Sequence, residues 1–201
     1  MKNKLLSTSN ILSAFLILFS VSLIVSPDVK AFIFKGLYRM GYNKFDASAD
    51  KLSFEKALSG NQERPVAPSL IFEDGDGRFF DISKQKGKVL FLNFWATWCP
   101  NCLAEMPSIN KLRQSINNPD LLFVMVDRDN NYRKSSSFMA RNNYNLPVYT
   151  SISSLPKDLI PSTIPTTIII DKEGNIVARH VGGADYSVTE AQNFFRDLLK
   201  K

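Results

Sequence analysis

Histidine and cysteine are nearly absent from this 201-residue chain, which has one His and two Cys. A zinc site built from thiolates and imidazoles takes about four ligands. The two cysteines and the distant His180 do not supply them, so no metal is expected. Two cysteines are also too few for a disulfide-packed scaffold. No cysteine follows the N-terminal apolar run, which excludes a lipoprotein. Basic excess is lacking where a nucleic-acid surface would need it. The formal net charge is +6, but residues 1–45 hold six Lys/Arg and one Asp, which leaves 19 basic and 18 acidic residues for positions 46–201. The folded part is therefore almost neutral, and nucleic acid is not an expected partner. There is no internal repeat, and the length is too short for two full cores joined by a linker. What is present is an ordinary globular composition, 44% hydrophobic and 22% charged, which predicts at least one real core.

From Leu5 to Pro27 there are 23 consecutive residues without a charge, and Ile11–Val25 are nearly all apolar. A bilayer core of ~30 Å takes about 20 helical residues and an export signal only about 7–15 apolar ones, so the run sits between the two. Residues 1–27 are expected to be a single transmembrane anchor. A cleaved signal peptide is the alternative, with Val29-Lys30-Ala31 offering the small residues of a cleavage site. Ser26-Pro27-Asp28 then reads as a helix start, with a hydroxyl cap, a first-turn proline and a carboxylate at the positive end of the dipole. The following residues mix Phe32, Ile33, Phe34, Leu37, Tyr38 and Met40 with Lys30, Lys35, Arg39 and Lys44, the composition of an interfacial helix. Residues 28–63 are thus expected to form a juxtamembrane amphipathic helix and a polar connector, the latter with a short helix near Ser53–Leu58. Basic residues flank the apolar run on both sides, so charge does not decide its topology.

Residues 64–201 are expected to form the folded domain. Ser69–Phe72 and Arg78–Ile82 flank Asp74-Gly75-Asp76-Gly77 and predict a hairpin. Val89–Trp95 (VLFLNFW) is a continuous apolar run, the pattern of a strand buried on both faces, and Leu121–Val126 is another. Between them Pro100 opens a helix running to about Ser115, with Ala104, Ile109, Leu112 and Ile116 along one face. Residues 131–143 read as a helix, Thr166–Asp171 and Ile176–Val181 as a second hairpin, and Val188–Leu199 as a closing amphipathic helix. The order predicts an α/β sandwich: a mixed central sheet flanked by helices, with an added N-terminal hairpin.

Cys99 and Cys102 lie where a buried strand turns into a helix. With Pro100 at the first helical position, Cys99 is the cap. Its sulfur then faces unpaired N–H groups and the positive end of the dipole, which stabilises a thiolate. Cys102 sits one turn in and is placed to attack a mixed disulfide formed at Cys99. Glu105 follows Cys102 by three residues, on the same helix face. Buried there, its carboxyl would have a raised pKa and exchange the Cys102 proton; on a solvated face it would do neither. Pro107 removes a helix hydrogen bond and is expected to kink the helix.

The run Phe94-Trp95-Ala96-Thr97-Trp98-Cys99-Pro100-Asn101-Cys102 resembles the active-site segment of thioredoxin-fold proteins. Leu103-Ala104-Glu105-Met106-Pro107 is similar to the TlpA/ResA-like branch, whose members are anchored reductases outside the cytoplasm. The likeness extends over about residues 64–201. Ile164-Pro165-Thr166 resembles that family's cis-proline loop, and Val181-Gly182-Gly183 the segment bordering its substrate groove. The resemblance implies a thioredoxin fold with Cys99 as nucleophile, Cys102 as resolving thiol and Pro165 as the cis-proline. Physically, Ile164-Pro165 ends a turn before a strand, where a cis bond costs little, and the Ile164 backbone is suited to pair with a substrate strand. Trp98, Pro100 and Ile164 are the candidate substrate-contacting residues, while Trp95 is expected in the core. Thioredoxins proper carry a buried Asp six residues before the first Cys. Asn93 stands there in this chain, which shifts acid–base work to Glu105 and water.

The expected function is thiol–disulfide exchange with protein disulfides outside the cytoplasm, with no cofactor. The resemblance implies a single-pass protein of the cell membrane, its thioredoxin-like domain facing the periplasm or cell exterior, recharged by a membrane electron donor. It suggests cytochrome c maturation or general disulfide repair without choosing between them. Strong oxidants of this fold hold the thiolate with a His inside the motif. Asn101 is neutral, which favours a reductant, with an oxidant as the alternative. A peroxidase is disfavoured by the residues around Thr97 and the Cys spacing, and a copper carrier by the two residues between the cysteines. A redox-silent chaperone is the remaining non-enzymatic reading.

Overall fold

The computed structural model describes residues 8–26, 29–30, 32–33, 36, 65–152 and 163–201. Seven strands form one sheet: β1 (Ile71–Glu73), β2 (Phe79–Asp81), β3 (Val89–Trp95), β4 (Leu121–Asp127), β5 (Val148–Ser151), β6 (Thr166–Ile170) and β7 (Ile176–Val181). Their order is β2-β1-β5-β4-β3-β6-β7. β3 runs parallel to β4 and antiparallel to β6, and β4 runs parallel to β5, so the sheet is mixed. Helices α2 (Pro100–Ile116), α3 (Tyr132–Arg141) and α4 (Thr189–Lys200) connect or follow the strands. A thioredoxin-like α/β arrangement results, as the order of elements in the sequence implies.

The centre of the sheet follows from the apolar runs. All seven residues of β3 are buried. Val89, Phe91 and Trp95 join one core with Met106, Ile109 and Leu112 of α2 and Phe194, Phe195 and Leu198 of α4. Phe91 anchors it, with its ring 5.1 Å from Phe123, 5.0 Å from Tyr186 and 5.8 Å from Phe195. Leu90, Leu92 and Phe94 point the other way, into a second core with Val124, Val126, Ile168, Ile170, Leu70 and Phe72. Each such side chain contributes roughly 1.5–3 kcal/mol relative to exposure.

β1 and β2 pair antiparallel across a turn built by Asp74. Its Oδ1 accepts from the Asp76 and Arg78 N–H groups at 2.9 and 3.0 Å. Gly77 takes the left-handed backbone, φ +76°, that closes the turn. α2 begins at Pro100 and ends at Ile116, capped by the left-handed Asn117. β5 was not expected. Its four residues alternate poorly in burial and follow Pro147, so their sequence carries little strand signal.

The N-terminal expectations fare differently. Helix α1 (Thr8–Val25) has 18 residues and rises about 27 Å, short of a hydrocarbon core of ~30 Å. Among the described residues no helix is long and apolar enough to cross a membrane, so the transmembrane helix expected within 1–27 is not found. Ser26 does act as a cap: its Oγ accepts from the Val29 N–H at 3.4 Å, and residues 29–30, 32–33 and 36 are helical. The rest of the expected amphipathic helix, and the short helix near Ser53–Leu58, lie outside the described residues.

Candidate active site

The strand-to-helix junction after β3 carries the site. Cys99 caps α2 in extended backbone, and Pro100 occupies the first turn, where a missing N–H costs no hydrogen bond. Cys99 and Cys102 are joined as a disulfide with their Cα atoms 5.2 Å apart. The Cys102 N–H donates to Cys99 Sγ at 3.2 Å, so the sulfur sits against the unpaired amides of the first turn, where negative charge is favoured. Cys99 is 4% exposed and Cys102 is fully buried. An incoming group therefore meets Cys99 first.

Ile164–Pro165 is a cis peptide bond, and the Ile164 carbonyl oxygen lies 3.7 Å from Cys99 Sγ. The Gly182 N–H donates to the Pro165 carbonyl at 2.9 Å, with Gly182 at φ +105°. This bond ties the proline loop to Val181-Gly182-Gly183. Trp98 and Val181 are 52% and 55% exposed. Trp98 Nε1 donates to Asp129 Oδ2 at 2.8 Å, which holds the indole on the loop after β4.

Behind the disulfide, Glu105 is 2% exposed. Its Oε1 accepts from Asn93 Nδ2 at 2.9 Å and its Oε2 from the Ala184 N–H at 3.2 Å. Burial pushes the Glu105 carboxyl up to about 8, against the opposite pull of those two hydrogen bonds. A group with that proton affinity can both take and return a proton near neutral pH.

The Redoxin family model matches residues 59–194, over half of the chain. The chain belongs to the Redoxin family. It is 30% identical over 147 residues to the thiol-disulfide oxidoreductase ResA of Halalkalibacterium halodurans, covering 73% of this chain and 81% of that protein. It is 31% identical over 134 residues to the thioredoxin-like protein YneN of Bacillus subtilis, covering 65% and 78%. A solved thiol:disulfide interchange protein of the thioredoxin family from Chlorobium tepidum matches with a TM-score of 0.53 at 24% identity, covering 70% of this chain and 97% of that one. This likeness speaks for the fold. With a cysteine pair at disulfide distance at its centre, this Redoxin protein is a thioredoxin-like thiol–disulfide oxidoreductase.

The Redoxin domain brings Trp98, Cys99, Pro100, Cys102, Glu105, Ile164 and Pro165 to one end of the sheet. Trp95 is fully buried in the core, and His180 lies on β7 opposite Thr167. Sequence reasoning missed the partners of Glu105. Asn93 stood out as a departure from an expected Asp, and its holding role went unread; Thr167, the Ala184 N–H and Asp129 were not singled out. The alternation of β3 carried a signal, because it sets Asn93 on the same face as Val89, Phe91 and Trp95, the face that packs on α2. A cavity of about 390 Å³ lined by Arg113, Phe123 and Tyr149 lies toward the N-terminal end of β4 and includes none of these residues.

Proposed function

We propose that the protein is a reductase of protein disulfides acting outside the cytoplasm, with Cys99 as nucleophile, Cys102 as resolving thiol and Glu105 as the proton acceptor for Cys102. The observation that carries this is a buried carboxyl three residues after the inner cysteine of a pair whose outer sulfur caps the helix. In the reduced protein the Cys99 thiolate attacks one sulfur of a substrate disulfide and the other sulfur leaves as a thiolate, giving a mixed disulfide. Cys102 passes its proton to Glu105 and attacks Cys99 Sγ. Both substrate sulfurs leave as thiolates and take up one proton returned by Glu105 and one from solvent, while the two electrons that reduce them come from Cys99 and Cys102, which remain as the disulfide.

Ile164 offers its backbone to an extended substrate segment, while Trp98 and Pro100 flank the sulfur. Pro165 keeps that loop facing Cys99. Neutral Asn101 leaves the Cys99 thiolate to the helix end alone, which favours reduction of substrates over their oxidation. The 23 uncharged residues from Leu5 to Pro27 support export and retention at the cell membrane as a single-pass protein, with a membrane dithiol donor restoring the reduced state. Protein disulfides arising in cytochrome c maturation and in general repair present the same chemistry to such a site.

The test is the equilibrium of the Cys99–Cys102 pair with glutathione and dithiothreitol buffers. A potential near the thioredoxin level of about −270 mV is expected, and one near about −120 mV overturns the direction. In cells, Cys102→Ser accumulates a mixed disulfide with substrate and Cys99→Ser forms none. Extraction of the full chain from membranes by carbonate, without detergent, would remove the retained anchor.

A further inference from the structure

Among the described residues no cation holds Glu105. Its oxygens are bonded by a side-chain amide and a backbone amide, and among the described residues neither Lys nor Arg is bonded to it. Asn93 Nδ2 gives one hydrogen to Glu105 Oε1 and the other to Thr167 Oγ1, both at 2.9 Å. Asn93, Thr167 and Glu105 are 0%, 1% and 2% exposed. The register of β3 and β6 sets Asn93 opposite Thr167. Asn93 Oδ1 is buried and accepts no hydrogen bond.

The titratable groups of the elements around the carboxyl are few. α2 brings Cys99 and Cys102. β7 brings His180, opposite Thr167. Asp127 ends β4, with its oxygens accepting from the Asp129 and Asn131 N–H groups. Asp185 follows Ala184, and its Oδ1 accepts from Ser187.

An ionised Glu105 is matched by this arrangement, since every neighbour donates to it. A protonated Glu105 has an O–H to place, and a buried donor left unplaced is destabilising. Asn93 turns Nδ2, not Oδ1, toward the carboxyl, so its amide offers that O–H no acceptor and favours the ionised form. We propose that Asn93 is the positioning residue for Glu105, its amide, braced on Thr167, holding the carboxyl in the ionised form that receives the Cys102 proton. This rests on the role given to Glu105 above. The neutrality of Asn93 is what the device needs. An Asp there would share one proton with Glu105 between two carboxyls, and the pair would titrate in two steps. A Leu would offer neither donor nor acceptor.

The experiment uses the full chain in detergent micelles. In the wild type, the Asn93 side-chain amide resonances are followed by NMR from pH 5 to 9 alongside the Glu105 carboxyl carbon. Both are expected to move with one midpoint, and the Asn93 movement is expected to vanish in Glu105→Gln. The pH profile of disulfide reduction is then compared across variants. Asn93→Asp is expected to give two midpoints in place of one. Asn93→Leu is expected to raise the midpoint by about one pH unit, a tenfold gain in proton affinity, because it removes a donor to the ionised form. If Glu105→Gln flattens the profile while both Asn93 variants keep the wild-type midpoint, the positioning role is overturned and the role of Glu105 stands. If Glu105→Gln itself keeps the wild-type profile, the acid–base reading of Glu105 falls with everything resting on it. Should Asn93→Leu not fold, the wild-type titration decides, and Asn93 resonances that do not follow Glu105 overturn the proposal.

Discussion

Leu90, Leu92 and Phe94 on one face of β3, and Val89, Phe91, Asn93 and Trp95 on the other, are all 0–1% exposed. Burial alone does not tell the two faces apart. One face is wholly apolar and is held by dispersion and exclusion of water. The other gives up one apolar position to Asn93, and through it binds a carboxyl that would be costly to bury unpartnered. The same seven residues thus serve as a core strand on one side and as the floor of a reactive centre on the other. The chemistry is confined to the face covered by α2, the helix that also carries both cysteines.

Substitution on each face sharpens this contrast. Leu92→Ala is expected to lose about 2–5 kcal/mol of stability by urea denaturation, through lost burial and a cavity, with equal losses at pH 5 and pH 8. A loss that differs between the two pH values would mean the apolar face is coupled to the carboxyl. Glu105→Gln is the counterpart. Burial holds the folded-state pKa at about 8, above the ordinary 4.5. Between those values the unfolded chain ionises while the folded one keeps its proton, so stability falls as pH rises, at up to about 1.4 kcal/mol per pH unit, and below about 4.5 the full contribution is present. The Gln variant should lose this fall, read from urea midpoints between pH 5 and pH 8. Trp98→Phe, at the rim, removes the bond to Asp129 and part of the ring surface that flanks the sulfur. It is expected to cost about 0.5–1.5 kcal/mol and to slow reaction with protein disulfides more than with dithiothreitol.

Much of this was legible in the sequence because the signals were local. The apolar run of β3, the proline after Cys99 and the three-residue step to Glu105 each state a geometry within one element. The two hairpins follow from turn residues between short strands. What was hidden depends on distant segments meeting. β5 is a four-residue strand after a proline, identified by its pairing with β4 and β1. The Ala184 N–H that reaches Glu105 comes from 79 residues away, and backbone donors leave no trace in residue identity. Asn93 was visible as a polar residue in an apolar run, yet its partners required the register of two strands, β3 and β6, and the packing of α2. The N-terminal run is the opposite case: its composition suggests a span, and among the described residues α1, with 18 residues, is too short for one.

The two tryptophans of the chain, close in sequence to one covalent switch, differ in exposure. Trp95 is sealed in the core and Trp98 is half open to solvent, one residue from the disulfide. A disulfide quenches a neighbouring excited indole and a dithiol does so less, and only the open indole is reached by a dissolved quencher such as iodide. The emission of this protein is therefore an internal gauge of its own electron count, with one channel reporting the bond and the other serving as its reference.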